Sequence, residues 1–251
     1  MVEQEIRVAT ADGEMTVFTV HPDGEGPYPT AVLYMDGVGY REQVKKNARR
    51  FAAGGYYCVA PDLFYRSGEK LSFDLSQMGD PDFRERLMQI VSSVRPEMVV
   101  ADTEVIFAAI ADDRTASSGP KVCVGYCMGA RFALHAAAAL PDELVAAAGI
   151  HPGALVTDQP DSPHHDLASV RGELYFAFAE NDQSATPEVV ERFRDEFEQQ
   201  SVKGVVERLP GTSHGFAMAD LPVYDRDAAE HHFEQTLELW RRNLAHQAMH
   251  A

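Results

Sequence analysis

From about residue 30 onward, short β-branched and apolar runs alternate with longer stretches of helical periodicity. That alternation predicts a largely parallel sheet with helices on both faces. Ahead of it, β-rich runs at 4–9 and 15–20 flank the turn sequence Ala11-Asp12-Gly13-Glu14, which predicts an antiparallel hairpin at the sheet edge. Residues 30–35 read as a buried strand, 42–53 as a helix ended by Gly54-Gly55, and 56–60 as a second buried strand stopped by Pro61. Residues 63–96 have mixed polarity, several breakers and one short helical run at 83–91, and read as a cap or substrate-facing excursion.

Further along, a helix is expected over 97–111, a strand over 121–125 and an alanine-rich helix over 128–140, whose small side chains let it lie close to the sheet. Strands at 144–150, 172–179 and 204–209, with helices at 187–200 and 223–244, complete the pattern. Pro187 suits a first helical turn. The expectation is a single α/β domain over 1–251 with about eight strands, the first pair antiparallel and the rest parallel.

Composition agrees: 45% apolar, 24% charged and 9% aromatic residues over 251 positions are the values of an ordinary globular protein. The formal charge of −17 argues against a nucleic-acid partner, because phosphate contacts need a basic face. Basic residues here stand singly or in short clusters such as Lys45-Lys46 and Arg49-Arg50, which read as a solvated helix face. A small anionic substrate stays open if a few arginines gather locally. No apolar run approaches the ~18–20 residues a membrane helix needs. The acidic start and an odd set of three cysteines, Cys58, Cys123 and Cys127, lead us to expect free thiols in the cytoplasm.

Gly125-Tyr126-Cys127-Met128-Gly129 follows one expected strand and opens the alanine-rich helix, the form of a nucleophile elbow. In such a turn the nucleophile sits on a strained backbone, and glycines two residues to either side remove the Cβ atoms that would clash. The helix N-terminus behind it favours a thiolate. The alternative is a small buried cysteine in a glycine-flanked turn. Cys123 and Cys58 lie inside strands and read as core thiols.

A thiol nucleophile needs a base, and the base an orienting acid. Asp182 follows one expected strand and His214 the next, so the order nucleophile, acid, histidine is that of α/β-hydrolases, with both partners at carboxyl ends of parallel strands. Taken singly, Asp182 could cap the next helix and His214 could be a surface-loop histidine. The pairs His164-His165 and His231-His232 are weaker candidates, and no Cys, His and carboxylate spacing suggests a metal site.

These motifs, with Tyr34-Met35-Asp36-Gly37, Ala60-Pro61-Asp62-Leu63-Phe64, Glu180-Asn181-Asp182 and Ser213-His214-Gly215-Phe216-Ala217, resemble the dienelactone hydrolase family over nearly the whole chain. The resemblance implies an α/β-hydrolase fold, a Cys127–Asp182–His214 triad, no cofactor and a small lactone or ester as substrate. It further implies a carboxylate at Asp36 that activates the thiol, where the family usually has a glutamate, and an oxyanion hole made by the backbone N–H groups of Gly37 and Met128. Asp36 could equally be a loop residue capping the next turn. Dienelactone hydrolases proper hold a substrate carboxylate with arginines, one of them at the place filled here by Met218. Arg66, Arg84 and Arg86 are the remaining candidates for an anion contact, each alternatively a surface charge. Two rivals stand beside a lactone hydrolase: a broader carboxylesterase or thioesterase, and a thiol-based binding or redox-sensing protein on the same fold.

Overall fold

In the computed structural model, residues 1–68, 70–77, 79–159 and 162–248 are described, the last three by their backbone alone. Eight strands form one sheet in the order β1-β2-β4-β3-β5-β6-β7-β8. The hairpin strands β1 (Val2–Thr10) and β2 (Gly13–His21) pair antiparallel around a two-residue turn, with Thr10 opposite Gly13. β1 is the outer edge, mostly exposed, and carries the charged residues Glu3, Glu5 and Arg7 that disfavour edge-to-edge pairing. Next come β3 (Thr30–Tyr34), β4 (Tyr57–Pro61), β5 (Lys121–Tyr126) and β6 (Leu144–Ile150), buried at every position as the continuous apolar runs require. β7 (Glu173–Asn181) and β8 (Gly204–Ser213) continue the parallel part.

Helices α1 (Glu42–Ala53), α2 (Pro81–Ser93), α3 (Pro96–Ala109), α4 (Met128–Ala139), α5 (Pro187–Gln199) and α6 (Arg226–Ala248) connect and follow these strands. The crossover β3–α1–β4 runs one way across the sheet, whereas β4–α3–β5 and the later crossovers run the other way. Since such connections are right-handed, reversing direction puts α1 on one face and α3, α4 and α5 on the opposite one. α6 returns to the α1 face. Trp240, fully buried, lies 4.7 Å from the Phe51 ring and 5.0 Å from that of Tyr56.

Several boundaries depart from the pattern-based expectation, and the following have a local reason. α2 covers Pro81–Ser93, longer than the run at 83–91, because Pro81 occupies the first turn and the Asp80 carboxylate accepts the Asp82 N–H at 2.9 Å. α6 begins at Arg226, three residues later than expected, where Asp225 accepts the Ala228 N–H. Pro61 ends β4 from inside, because a proline is tolerated at a strand terminus. β7 and β8 run on to Asn181 and Ser213, past the expected ends at 179 and 209; β8 is the other sheet edge, where Pro210 costs no ladder bond. The excursion at 63–96 holds a 3-10 turn (Leu75–Gln77) and α2; its positions 69 and 78 lie outside the described residues. Among the described residues no helix is long and apolar enough to cross a membrane.

Trp240 locks α6 onto α1, so Trp240→Ala should lower the unfolding free energy by about 3–5 kcal/mol in urea titration, and Trp240→Phe by much less.

Candidate active site

The connection leaving β3 runs toward β4 and the one leaving β5 runs toward β6, so the loops after β3 and β5 diverge and leave a crevice at their carboxyl ends. Cys127 stands at that crevice, immediately after β5. Its backbone takes φ +53°, ψ −114°, outside the conformations an L-residue prefers, at a cost of about 1–3 kcal/mol. Hydrogen bonds from the Cys127 N–H to the Ile150 carbonyl (3.0 Å) and from the Ala130 N–H to the Cys127 carbonyl (3.1 Å) hold the turn. The flanking glycines are steric necessities. A Cβ on Gly125 would overlap the Gly129 carbonyl, and one on Gly129 would overlap the carbonyl oxygens of Tyr34 and Met35 at the end of β3.

The ladder extension noted above delivers the other two groups. After a register shift between Ala179 and Asn181, Asn181 pairs with Ser213, which puts the next residues of both strands, Asp182 and His214, side by side. His214 Nδ1–H donates to Asp182 Oδ2 at 2.6 Å, and His214 Nε2 lies 3.0 Å from Cys127 Sγ. The Asp182 side chain is only 2% exposed, while that of His214 is 32% exposed and reachable. Ser184 donates its hydroxyl (2.6 Å) and its N–H (2.8 Å) to Asp182 Oδ1, so the carboxylate is oriented from both sides. Despite its burial, which pulls the other way, the Asp182 carboxyl is held below its usual range by these bonds and by His214. Burial also opposes protonation of His214, yet the Cys127 charge and the Asp182 hydrogen bond together raise its pKa from 6.5 to about 10.

Asp36 follows β3 as the resemblance implies, but its carboxylate is bonded to groups other than the thiol. Its Oδ1 and Oδ2 accept from the Arg41 guanidinium at 2.6 and 3.0 Å, and Oδ1 also accepts the Val38 N–H at 3.1 Å. Among the described residues no hydrogen bond joins Asp36 to Cys127. The reason is reach: the short side chain closes a local turn and meets a guanidinium five residues on. Burial raises the Asp36 pKa, and Arg41 counters that. Arg41 also donates to Asp220 Oδ2 (2.6 Å) and Oδ1 (3.1 Å), a contact with no sequence signature. The amide nitrogens of Gly37 and Met128 have no backbone acceptor among the described residues, and Met128 is the first residue of α4, whose N–H is left free by helix geometry.

The substrate-binding candidates fare differently. Arg66 is withdrawn: it makes a forked pair with the buried Asp102 (2.8 and 2.9 Å) and a third bond to Asp12 (2.7 Å), which ties the excursion to α3 and the hairpin. Met218 is 1% exposed, and its sulfur receives the Asn47 amide at 3.6 Å, so it props the His214 loop on α1 and lines no surface. Arg84 and Arg86 lie exposed in the first half of α2, whose later residue Val91 comes up against Gly37. Cys58 and Cys123 are buried, and burial raises both thiol pKa values above their ordinary range. His151, which the pattern of motifs missed, follows β6 at φ +38° and sets its buried ring edge-on to His214 with centroids 5.3 Å apart. Its position at a strand's carboxyl end was the available signal. No group of three or more His, Cys, Asp or Glu side chains is placed to hold a metal among the described residues.

Comparison with known proteins follows the same lines. An Escherichia coli (strain K12) protein provisionally named carboxymethylenebutenolidase is 24% identical over 220 residues, 87% of this chain and 78% of that one. A Salmonella typhi protein of the same provisional name is 26% identical over 230 residues, covering 90% and 82%. The crystal structure of a provisionally named dienelactone hydrolase from Klebsiella pneumoniae subsp. pneumoniae MGH 78578 superposes with a TM-score of 0.80 at 21% identity, covering 97% of each chain, and shares the α/β-hydrolase fold. The dienelactone hydrolase family model matches residues 15–244, and the chain therefore belongs to the dienelactone hydrolase family.

Proposed function

We propose that this hydrolase cleaves a lactone or ester with Cys127 as nucleophile, through a thioester acyl-enzyme. One observation carries the reading: an unbroken line from Asp182 through His214 to the Cys127 sulfur, with spacings of 2.6 and 3.0 Å, at the crevice of the sheet. The thiolate attacks the carbonyl carbon, and the oxygen that becomes negative is received by the N–H groups of Gly37 and Met128. As the carbon–oxygen bond to the alcohol breaks, the His214 imidazolium supplies the proton that the leaving oxygen needs. A water then attacks the thioester, giving its proton back to His214, and the carbon–sulfur bond breaks to restore the thiolate. Asp182 keeps the imidazole oriented and compensates its charge throughout.

The substrate class we favour carries less negative charge than a dienelactone. A buried methionine, Met218, fills the place of one family arginine, and Arg66, one of the candidate anion contacts, is committed to Asp102. The name of the bacterial relatives, carboxymethylenebutenolidase, keeps lactones in first place, with acyclic esters second. We further propose that one domain carries this chemistry, since its parts span strands of one sheet, and that it works in a reducing compartment such as the cytoplasm, where its three unpaired cysteines are stable.

Cys127→Ala should abolish turnover of 4-nitrophenyl esters and small lactones, and Cys127→Ser should retain a small fraction; unchanged hydrolysis by Cys127→Ala ends the proposal. A thiol that alkylates quickly while a broad ester and lactone panel stays untouched would favour a sensor or binding protein instead.

The state of His214 makes a second prediction, on stability. A base whose pKa rises from 6.5 to about 10 on folding contributes stability that is complete below pH 6.5 and is lost as pH climbs towards 10. Denaturant unfolding of wild type and His214→Gln should therefore show a wild-type advantage that is greatest at pH 6.5 and below and shrinks up to about pH 10. An advantage independent of pH across that window would contradict the assigned charge state.

A further inference from the structure

Arg41 is the residue just ahead of α1 and has no catalytic atom of its own, yet it bonds to both loops that serve the proposed reaction. Through Asp36 it reaches the loop that carries the Gly37 N–H, and through Asp220 the loop that carries His214. Both contacts are two-point, and a further bond from Arg41 to the Gly39 carbonyl (3.3 Å) closes the turn from the inside. That turn is otherwise fixed by the Asp36 carboxylate on the Val38 N–H and by the Gly39 N–H on the Asp36 carbonyl at 3.2 Å, an arrangement that leaves the Gly37 amide unused. On the other side, Asp220 closes a run of tight turns that begins at the residue after His214: Met218 N–H to the Gly215 carbonyl and Leu221 N–H to the Met218 carbonyl, both 3.0 Å. The Arg41 side chain is 12% exposed and its Asp36 partner 3%, so water competes little for that contact.

We propose that Arg41 is a positioning residue that clamps the oxyanion loop to the histidine loop by bridging Asp36 and Asp220, and so sets the Gly37 N–H against the carbonyl carbon that Cys127 attacks. Only a planar guanidinium has the fork to engage two carboxylates at once in two-point fashion; a lysine ammonium can neutralise Asp36 but does not hold both with fixed geometry. An error of about 1 Å in such a donor costs on the order of a hundredfold in rate, whereas substitution of an sp3 carbon by the thiolate needs no oxyanion donor at all. The inference rests on the proposed Cys127 chemistry, and the two separate experimentally.

Arg41→Lys, Arg41→Met and Asp220→Asn are compared with wild type in two reactions, hydrolysis of 4-nitrophenyl acetate and alkylation by iodoacetamide. Cys58 and Cys123 are buried, so alkylation reads Cys127. The expected result is a fall in kcat of at least about tenfold for Arg41→Lys and Arg41→Met, smaller for Asp220→Asn, with alkylation rates changed less than about twofold. The double variant Arg41→Met/Asp220→Asn should be no slower than Arg41→Met, because the two act through one contact. Hydrolysis unchanged in the single variants overturns the clamp, as does a parallel loss of hydrolysis and alkylation, which would mean a disturbed thiol–imidazole pair. Should Arg41→Met fail to fold, with Asp36 left buried and unpaired, Arg41→Lys and the half-exposed Asp220→Asn decide alone. Failure of the underlying reading looks different: wild type that does not hydrolyse the ester, or Cys127→Ala that still does, removes the chemistry and the clamp together.

Discussion

A single backbone residue in a conformation it does not prefer organises this protein. Cys127 at φ +53° can exist only because β5 ends flush against the first turn of α4, and that contact exists only because Gly125 and Gly129 lack side chains. The strain of about 1–3 kcal/mol is offset by the packing around it: strands β3 to β6 are buried along their whole length and α4 is largely alanine. The same contact brings the end of β3 within touching distance of Gly129. The positions of the proposed nucleophile and of the proposed oxyanion loop are thus one geometric fact.

Right-handed crossovers then determine where everything else can go. Because the connection from β3 leaves one way and that from β5 the other, their loops diverge and a crevice opens at that point. Asp182 and His214 follow β7 and β8, farther along the sheet. They reach Cys127 by extra length, since both strands run past their apolar segments and the pairing shifts register before Asn181 meets Ser213. The hydrophobic effect does not ask for those added residues; hydrogen bonds along the ladder and the Asp182–His214–Cys127 line hold them in place.

Charge is distributed with similar economy. Acidic residues outnumber basic ones 39 to 22, and Arg41 and Arg66 are both held in ion pairs. Arg66 stabilises the buried Asp102 and Arg41 the buried Asp36, each by forked bonds that a buried carboxylate requires. Removing such an arginine for use by a substrate would leave a carboxylate unpaired in the interior. That physical constraint, and not the total charge, sets the electrostatic character of the crevice.

Much of this was legible in the chain. The alternation of apolar runs and helical periods specified the strand count, the antiparallel start and α1 and β6 to the residue, because burial on both faces writes an unmistakable pattern. The elbow was legible too, since a strained turn needs its two glycines at fixed spacing, and so was the order Cys127, Asp182, His214. What the chain could not display were contacts made by side chains distant in sequence. Arg66 looked free and is bound to Asp102, Met218 looked like a lining residue and is a buried prop, and Asp36 resembled a thiol activator and is held by Arg41. His151 and Asp220 carried no motif at all. Local pattern is governed by which face of an element meets the core, so sequence alone determines it. The partner of a polar side chain depends on which loops the crossovers bring together, and only the tertiary structure decides that.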